Sequence, residues 1–534
     1  MPKVALIGSS GGGKATSGQD DPAAVVRTMR NELGRAGIAL NYVQFVAARS
    51  PLDLAEESTF AELWVLDASR QLKRSVSGGL NAVNATASEV HDATIAAAIR
   101  GAELDGLVVI SCDPGRTNQK ALLAARDADV PVAGTGGSSL GEALALGVNI
   151  VGCSGGSVAT TNESRAMTAA ASLARHWGLP YDPFPALSTG SSCCGGDSVS
   201  IAGLISSLNS CLPAFLAAML LKRGTTLLAA APLPAGAAAD MLAAADAATH
   251  VLPILVGAVA ARDQSPQLGE TALMAGAIAA AACDAGVGGG LFSGCVAGLV
   301  MSRAAAYAIT RAFPATAVNA FAAAAGGGAA GMLGRTLRPV LLAVGAISVT
   351  AVQQFLALPI AARAAAGAAL GVATCWGSQV GYYHAVMLPL ILLEGEDGGY
   401  TLLGAFDMVV LCAVSAGICT ATCWRPWHPK ADGRLAARGC RINFIFGDFV
   451  EAAYAFMDRD LWCKAAAYLG AAAGGATLAV GGVKSSAYLP LPLAVLLGDA
   501  PLFGAAAVAV ASALPFLIVV IRNGIIPDWK KRQE

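Results

Sequence analysis

From Ser198 to Arg522 the sequence runs through one apolar stretch after another, each close to membrane length and separated from the next by short polar breaks. The hydrocarbon core of a bilayer takes about 20 apolar residues to cross as a helix. Candidates are 198–221, 241–261, 271–301, 314–334, 338–361, 364–393, 401–423, 442–457, 464–483 and 487–521. Some are short and the last has room for two pieces. About eight to ten spans are therefore expected, some broken or re-entrant at Gly and Pro. Composition supports this: 13% of residues are charged, 55% are hydrophobic, and mean hydropathy is +0.59. A soluble domain carries about 25% charge. The 62 glycines suit helices that pack closely in lipid, where small residues let backbones approach.

Residues 1–185 read differently. Short apolar runs at Val4–Gly8, Leu107–Ser111, Val130–Ala133 and Asn149–Gly152 are strand candidates, and a helix runs through Arg27–Leu33. Strands alternating with helices predict a parallel sheet covered by helices. The expected fold class is a multi-span α-helical membrane protein with an N-terminal α/β, parallel-sheet soluble domain. Its parts are the α/β domain at 1–185, a Pro/Gly/Ser-rich linker at 186–197, a membrane domain at 198–523 and a tail at 524–534. The N-terminus has no charged segment leading into an apolar one, so it does not read as a signal peptide.

Charge gives orientation and excludes some partners. The segment Trp424–Arg441 holds Arg425, Lys430, Arg434, Arg438 and Arg441, and the tail holds Lys530, Lys531 and Arg532. The positive-inside rule makes both cytoplasmic, and the N-terminal domain is expected on the same side. Lys222-Arg223, after the first span, conflicts with that unless the membrane domain starts with a hairpin or re-entrant segment. A net charge of −1 without a basic run gives no support to a nucleic-acid partner. The 13 cysteines lack zinc spacing and mostly read as small hydrophobes, so no metal or other cofactor is expected.

Ionisable residues inside spans are functional candidates by default. They are His250, Asp284, His384, Asp407 and, most densely, the run from Asp448 and Glu451 to Asp460. Asp448 and Glu451 share a helix face at i, i+3. Carboxylates there either accept hydrogen bonds from sugar hydroxyls, with Tyr454 or Phe456 stacking on a ring, or cap helices and form ion pairs. His250 and His384 read first as interhelical hydrogen-bonders.

At this cluster the chain resembles enzyme IIC, the membrane component of the fructose class of the bacterial phosphoenolpyruvate-dependent phosphotransferase system. That family carries Thr-Glu-Gly-Ala-Ile-Pro-Phe, three small residues and Asp. The stretch Glu451-Ala-Ala-Tyr-Ala-Phe456-Met-Asp-Arg-Asp460 keeps the Glu, the third-position Ala, the Phe and the closing Asp. Further similar stretches follow the family's order, among them Leu252-Pro-Ile-Leu-Val-Gly, the Gly-rich Gly288–Gly298, Leu358-Pro-Ile-Ala and Tyr488–Leu502. The chain departs from the family at Trp376-Gly-Ser-Gln-Val-Gly-Tyr-Tyr-His384, where the family has Asp-Met-Gly-Gly-Pro-Val-Asn-Lys. It departs again at Lys484-Ser-Ser-Ala, where the family has Pro-His-Gly-Gly. The resemblance implies a sugar permease, of fructose or a related sugar. It further implies that the substrate is held by a Glu, here Glu451; Asp448, His384, His250 and Asp460 stand behind it as candidates by residue type. Phosphocarrier partners and a homodimer are expected on the resemblance alone.

A phosphocysteine donor would sit in a strand-end loop, and Cys112-Asp-Pro-Gly-Arg-Thr117 has that shape, although Asp113 beside it raises the thiol's pKa. The first loop, Gly8-Ser-Ser-Gly-Gly-Gly13-Lys14-Ala15-Thr16, meets the Gly-x4-Gly-Lys part of a phosphate loop, with Ala15 in the metal-binding position. Gly8, Gly13, Lys14 and Thr16 are thus candidates for a nucleotide or anion. The loops after Ala133 and Val151 also stand at strand ends, where such folds bind ligands. Alternatively, all are tight turns. These loops support a second functional reading, a membrane-anchored enzyme or sensor with its chemistry in residues 1–185.

Overall fold

Val4, Ala5, Leu6 and Ile7 are all fully buried, because both faces of their strand are covered. Val4 and Leu6 join one apolar cluster while Ala5 and Ile7 join another on the opposite face. Only a central strand of a doubly covered sheet reads this way. The computed structural model describes residues 1–10, 21–48, 55–67, 69–136, 138–154, 161–184, 201–229, 235–380, 382–396, 400–426, 431–445, 450–458, 460–486 and 489–530. Contacts divide the chain into two units. The first comprises Met1–Val199, Ala261–Ala279 and Ser293–Leu333; the second comprises Ser200–Ala260, Ala280–Phe292 and Gly334–Glu534.

In the first unit, seven strands form one sheet: β1 (Lys3–Ser9), β2 (Ala39–Ala48), β3 (Phe60–Leu66), β4 (Leu72–Gly79), β5 (Gly106–Ile110), β6 (Val132–Thr135) and β7 (Ile150–Cys153). Their order is β4-β3-β2-β1-β5-β6-β7. Strands β2, β1, β5, β6 and β7 are parallel, as expected, but β3 and β4 add an antiparallel extension, so the sheet is mixed. The covering helices are α1 (Pro22–Arg35), α2 (Leu80–Thr86), α3 (Ala93–Arg100), α4 (Gln119–Asp127), α5 (Ser138–Ala145) and α6 (Asn162–Trp177). Asp21 caps α1 with Pro22 at its first position, and Thr161 and Ser164 form a capping box on α6. The α4 helix is capped from outside its own segment. The buried carboxylate of Asp92 accepts from Lys120 N at 2.8 Å and Ala121 N at 3.1 Å, while its Oδ1 has no hydrogen-bond partner.

Also within this unit, α6 packs Met167 and Ala171 against Leu268, Ala272, Met301 and Ala305. Thr161 Oγ1 donates to Gln267 O at 2.6 Å and Arg175 donates to Thr310 O at 3.1 Å, so both satisfy carbonyls near helix ends.

Eight helices among the described residues are long and apolar enough to cross a membrane: Gly236–Gln264, Gly286–Thr310, Thr316–Thr336, Arg338–Ala357, Ile360–Gln379, Leu402–Trp424, Leu461–Gly481 and Pro501–Gly524. A pair bent by 40°, Gly203–Ser210 and Leu212–Leu228, makes a ninth if it counts as one span. The chain is thus a multi-pass membrane protein. Several of the apolar stretches are broken, as expected, the last of them into two pieces. Residues 271–301 divide at Asp284, which adopts φ 50°, followed by Gly286 at φ 68°. Residues 364–393 divide after Gln379, and 487–521 divide between the helices Leu491–Leu497 and Pro501–Lys530.

The second unit is built on glycine contacts. Helices Ile360–Gln379 and Leu461–Gly481 run antiparallel and so close that a Cβ on Gly371 would stand 2.2 Å from Ala471 O. One on Gly475 would stand 2.5 Å from Gly367 O. On another face of Leu461–Gly481, a Cβ on Gly470 would meet Ala511 O at 2.8 Å, and on the helix Cys412–Trp424 one on Gly417 would meet Ser512 O at 2.3 Å. Lipid supplies no hydrophobic drive between helices, so this close van der Waals packing holds them. Where helices end, polar groups satisfy the backbone. Arg363 donates to Leu356 O and Val480 O, Glu394 accepts from Leu402 N and Leu403 N, and Thr401 and Ser485 exchange two backbone bonds of 3.0 Å each. Irregular backbone is tolerated at membrane depth only when protein partners satisfy it in this way.

Two predictions follow from these contacts. Gly371→Val should cost about 2–3 kcal/mol or prevent recovery of monodisperse protein in detergent, because the helices must separate. Gly377→Ala, which meets nothing within 4 Å, should leave the thermal midpoint unchanged. The second concerns Asp92, whose carboxyl is pushed up to about 7 by burial against the pull of the two α4 amides and Lys120. Its unfolded form ionises near 3.8, so the stability of the neutral folded form is full below that pH and is lost as pH rises toward 7. Relative to Asp92→Asn, the wild-type thermal midpoint should therefore fall across that window and level off above it. The loss is on the order of 1.4 kcal/mol for each unit of displacement. Parallel curves for the two chains would contradict it.

Candidate functional site

Within the second unit, polar groups gather where the helix Ile360–Gln379 ends against Val450–Met457 and Leu461–Gly481. Tyr454 donates its hydroxyl to Ser378 Oγ at 2.8 Å. Gln379 donates from Nε2 to Asp458 Oδ1 at 3.1 Å and accepts the Tyr468 hydroxyl on Oε1 at 2.7 Å. Glycine packing along the rest of the two long helices fixes this register: Gly367 meets Gly475 and Ala479, so Gln379 arrives opposite Tyr468. Tyr468 is seven residues inside the Leu461 end, or about 10 Å along the helix. Ser378 is buried, Gln379, Tyr454 and Tyr468 are half-buried, and Asp458 is exposed. One amide group, three hydroxyls and one carboxylate thus line one place in an otherwise apolar bundle. The arrangement can exchange hydrogen bonds with a neutral, hydroxyl-bearing molecule.

Glu451 lies one turn before Tyr454 on the Val450–Met457 helix, on the same face by i, i+3 spacing. Its side chain, that of His384, and Asp448 lie outside the described residues. His384 stands in the π-helical turn Tyr383–Met387. His250 is exposed on its helix, and its Nδ1 lies 2.7 Å from Asp246 O in the preceding turn, so that nitrogen carries the proton. It belongs to no cluster with the groups above. Asp460 is committed elsewhere: it caps the Leu461–Gly481 helix through Trp462 N at 3.2 Å and pairs with Arg522 Nε at 2.9 Å. Gln379, Tyr468, Tyr454 and Asp458 were not singled out as a cluster by the sequence. The signals in the sequence are Tyr454, one turn from Glu451, and a Ser-Gln pair closing an apolar run.

In the first unit, β1 and β5 are neighbours whose chains leave in opposite directions across the sheet, β1 toward β2 and β5 toward β6. This is where parallel sheets of this kind take ligands. Ser9 Oγ donates to Ser111 O at 2.7 Å, and Ser111 adopts φ 44°. Asp113 accepts from Arg116 N, Thr117 N and Thr117 Oγ1, and Asn118 bridges Asp113 N to the fully buried Gln44. Asp113 therefore shapes its own loop. Burial pushes the Cys112 thiol up to about 11, with Asp113 and Glu142 raising it further against a hydrogen bond from Ser139. A phosphocysteine requires the reverse. Gly8 is explained by packing: it has φ 141°, and a Cβ there would stand 1.8 Å from Ile110 O. Gly13, Lys14 and Thr16 lie outside the described residues. Among the described residues no group of three or more His, Cys, Asp or Glu side chains has the arrangement of a metal site.

Compared with known proteins, the chain matches no protein-family model and no curated protein.

Proposed function

We propose that the membrane unit carries a small polyhydroxylated solute of the sugar class across the bilayer. The solute is held where Gln379, Tyr454 and Tyr468 meet beside Glu451. One observation carries the reading. The Gln379 amide and the Tyr454 and Tyr468 hydroxyls are half-buried in a glycine-packed bundle, Tyr468 about 10 Å along its helix, where polar side chains are costly and tend to mark substrate pathways. They also differ from the other polar groups of the unit, since Arg363, Glu394 and Ser485 are turned onto backbone and are occupied in satisfying it. Neutral amide and hydroxyl donors, with a carboxylate one turn away, match the hydroxyls of a sugar better than they match an ion.

The resemblance to the fructose-class enzyme IIC family supports the same substrate class and adds phosphocarrier partners as an expectation. The stretch Trp376–His384, which holds the Ser-Gln pair, replaces the family's Asp-Met-Gly-Gly-Pro-Val-Asn-Lys, so this chain meets its substrate with an amide and hydroxyl set of its own. A phosphodonor role for Cys112 fits poorly with a thiol held protonated by burial. The reading in which the α/β domain carries the chemistry rests on strand-end loops alone and ranks second.

Arg425 and Arg522 stand at the same end of the bundle as Gln379 and Asp460, since Arg522 pairs with Asp460 and Asn523 donates to Arg425 O. The positive-inside rule makes this the cytoplasmic end, so the site opens on that side.

Calorimetric titration of the purified full chain with a panel of hexoses, hexitols and their phosphates tests the proposal. At least one should bind, and Gln379→Ala, Tyr468→Phe and Glu451→Gln should each weaken it about tenfold or more, a loss of about 1.4 kcal/mol. Their thermal midpoints should stay within a few degrees of wild type. Asp460→Asn should do the opposite, lowering the midpoint because Arg522 loses its partner, while leaving affinity unchanged. No binding across the panel, or equal binding by all three site variants, would sink the idea.

A further inference from the structure

The helix that ends in Ser378 and Gln379 carries a large aromatic ring one turn earlier. Trp376 and Gln379 stand at i, i+3 and so share a face of the helix Ile360–Gln379. Three residues beyond Gln379, Tyr382 pairs its ring with that of Trp376, the centroids 5.9 Å apart and the planes tilted by 41°. Gln379, the residue that joins the polar groups of the site, therefore lies in the chain between two paired rings. Both rings are open, Trp376 being 49% exposed and Tyr382 57%. Other aromatics near the site are placed differently. Of the two rings expected from the sequence to stack on a sugar, Phe456 is buried in the main core cluster of the unit and Tyr454 packs against it. Tyr468 packs there too, and both tyrosines reach the site through their hydroxyls.

We infer that Trp376 and Tyr382 form the stacking platform of the sugar site proposed above, on which this inference rests, and that the solute is a cyclic sugar rather than an open-chain polyol. A pyranose or furanose ring has a face of C–H bonds, apolar and slightly positive, with its hydroxyls around the rim. An aromatic face is apolar and carries negative π charge, so the two faces attract. A sugar ring laid on Trp376 brings its rim hydroxyls to the Gln379 amide one turn along the helix, with Tyr382 bordering it. An open-chain hexitol has no fixed apolar face and engages the amide and hydroxyls alone. Aromatic rings at the end of a span also serve as interfacial anchors. Trp462, 62% exposed at the same end of the bundle, is of that kind and makes the control.

Titration of the full chain in lipid nanodiscs with cyclic hexoses and with hexitols of the same carbon number tests this. A cyclic hexose should bind more tightly than any hexitol. Trp376→Ala should weaken the hexose about tenfold while leaving hexitol affinity unchanged. Tyr382→Ala should act in the same direction, Trp376→Phe should keep most of the affinity, and Trp462→Ala should change nothing. Bound hexose should also shield tryptophan fluorescence from acrylamide in wild-type protein and not in Trp376→Phe, a readout that needs no alanine variant to fold. Unchanged hexose affinity in Trp376→Ala, where Gln379→Ala weakens it, would overturn the platform and leave the sugar site standing. Equal losses for hexose and hexitol, equal losses in the Trp376 and Trp462 variants, or binding of hexitols alone would do the same. Wild-type protein that binds no sugar would overturn both.

Discussion

The contact between Gly371 and Ala471, with Gly475 against Gly367 one turn away, governs much of the second unit. A single added carbon at these positions would enter a neighbouring backbone oxygen at 2.2–2.5 Å. Because the two backbones touch, their axial positions cannot slide, and the side chains beyond the contact are brought together in one register. Tyr468 meets Gln379 for that reason. The same helix presents Gly470 and Gly474 to the helix Pro501–Lys530, so one strip of small residues sets two interfaces at once. In water, such a surface would bury little area. In lipid, where dispersion and close approach decide association, it is the efficient solution.

Polar groups in this bundle fall into two kinds, and the difference carries the functional reading. Arg363, Glu394, Thr401 and Ser485 hydrogen-bond carbonyls and amides at helix breaks. Asp460 and Arg522 neutralise one another. These groups let the helices end inside an apolar layer. Gln379, Tyr454 and Tyr468 are bonded to other side chains instead, and those bonds can be exchanged for bonds to a solute without exposing backbone. A carrier needs the first kind to keep its fold and the second to hold its cargo.

Much of the architecture could be read from the sequence, for identifiable reasons. Strands β1, β5, β6 and β7 are short and mostly apolar, so they stood out. β2 was hidden by Asn41 and Gln44, the latter a buried residue bonded to Asn118. β3 alternates around Glu62 and Trp64, and β4 is an edge strand with exposed Lys73 and Arg74, so neither shows a continuous run. The apolar stretches were evident, and breaks at Gly and Pro were expected among them, but not where most would fall. Asp284 and Gly286 turn the chain by left-handed backbone in a run whose composition reads as continuous. Site residues were harder still. A lone sequence cannot display Arg522 across the bundle from Asp460, nor Gln379 opposite Tyr468.

The central claim is that this glycine-packed bundle is a carrier with a hydrogen-bonding site for a hydroxylated solute. Counterflow in proteoliposomes tests it most directly. Vesicles containing the full chain, preloaded with unlabelled sugar, should accumulate the labelled form of at least one hexose or hexitol transiently and saturably. Gln379→Ala vesicles, carrying equal amounts of folded protein, should not. Absence of counterflow for every sugar tested, with the wild-type chain folded in the vesicles, would contradict the account.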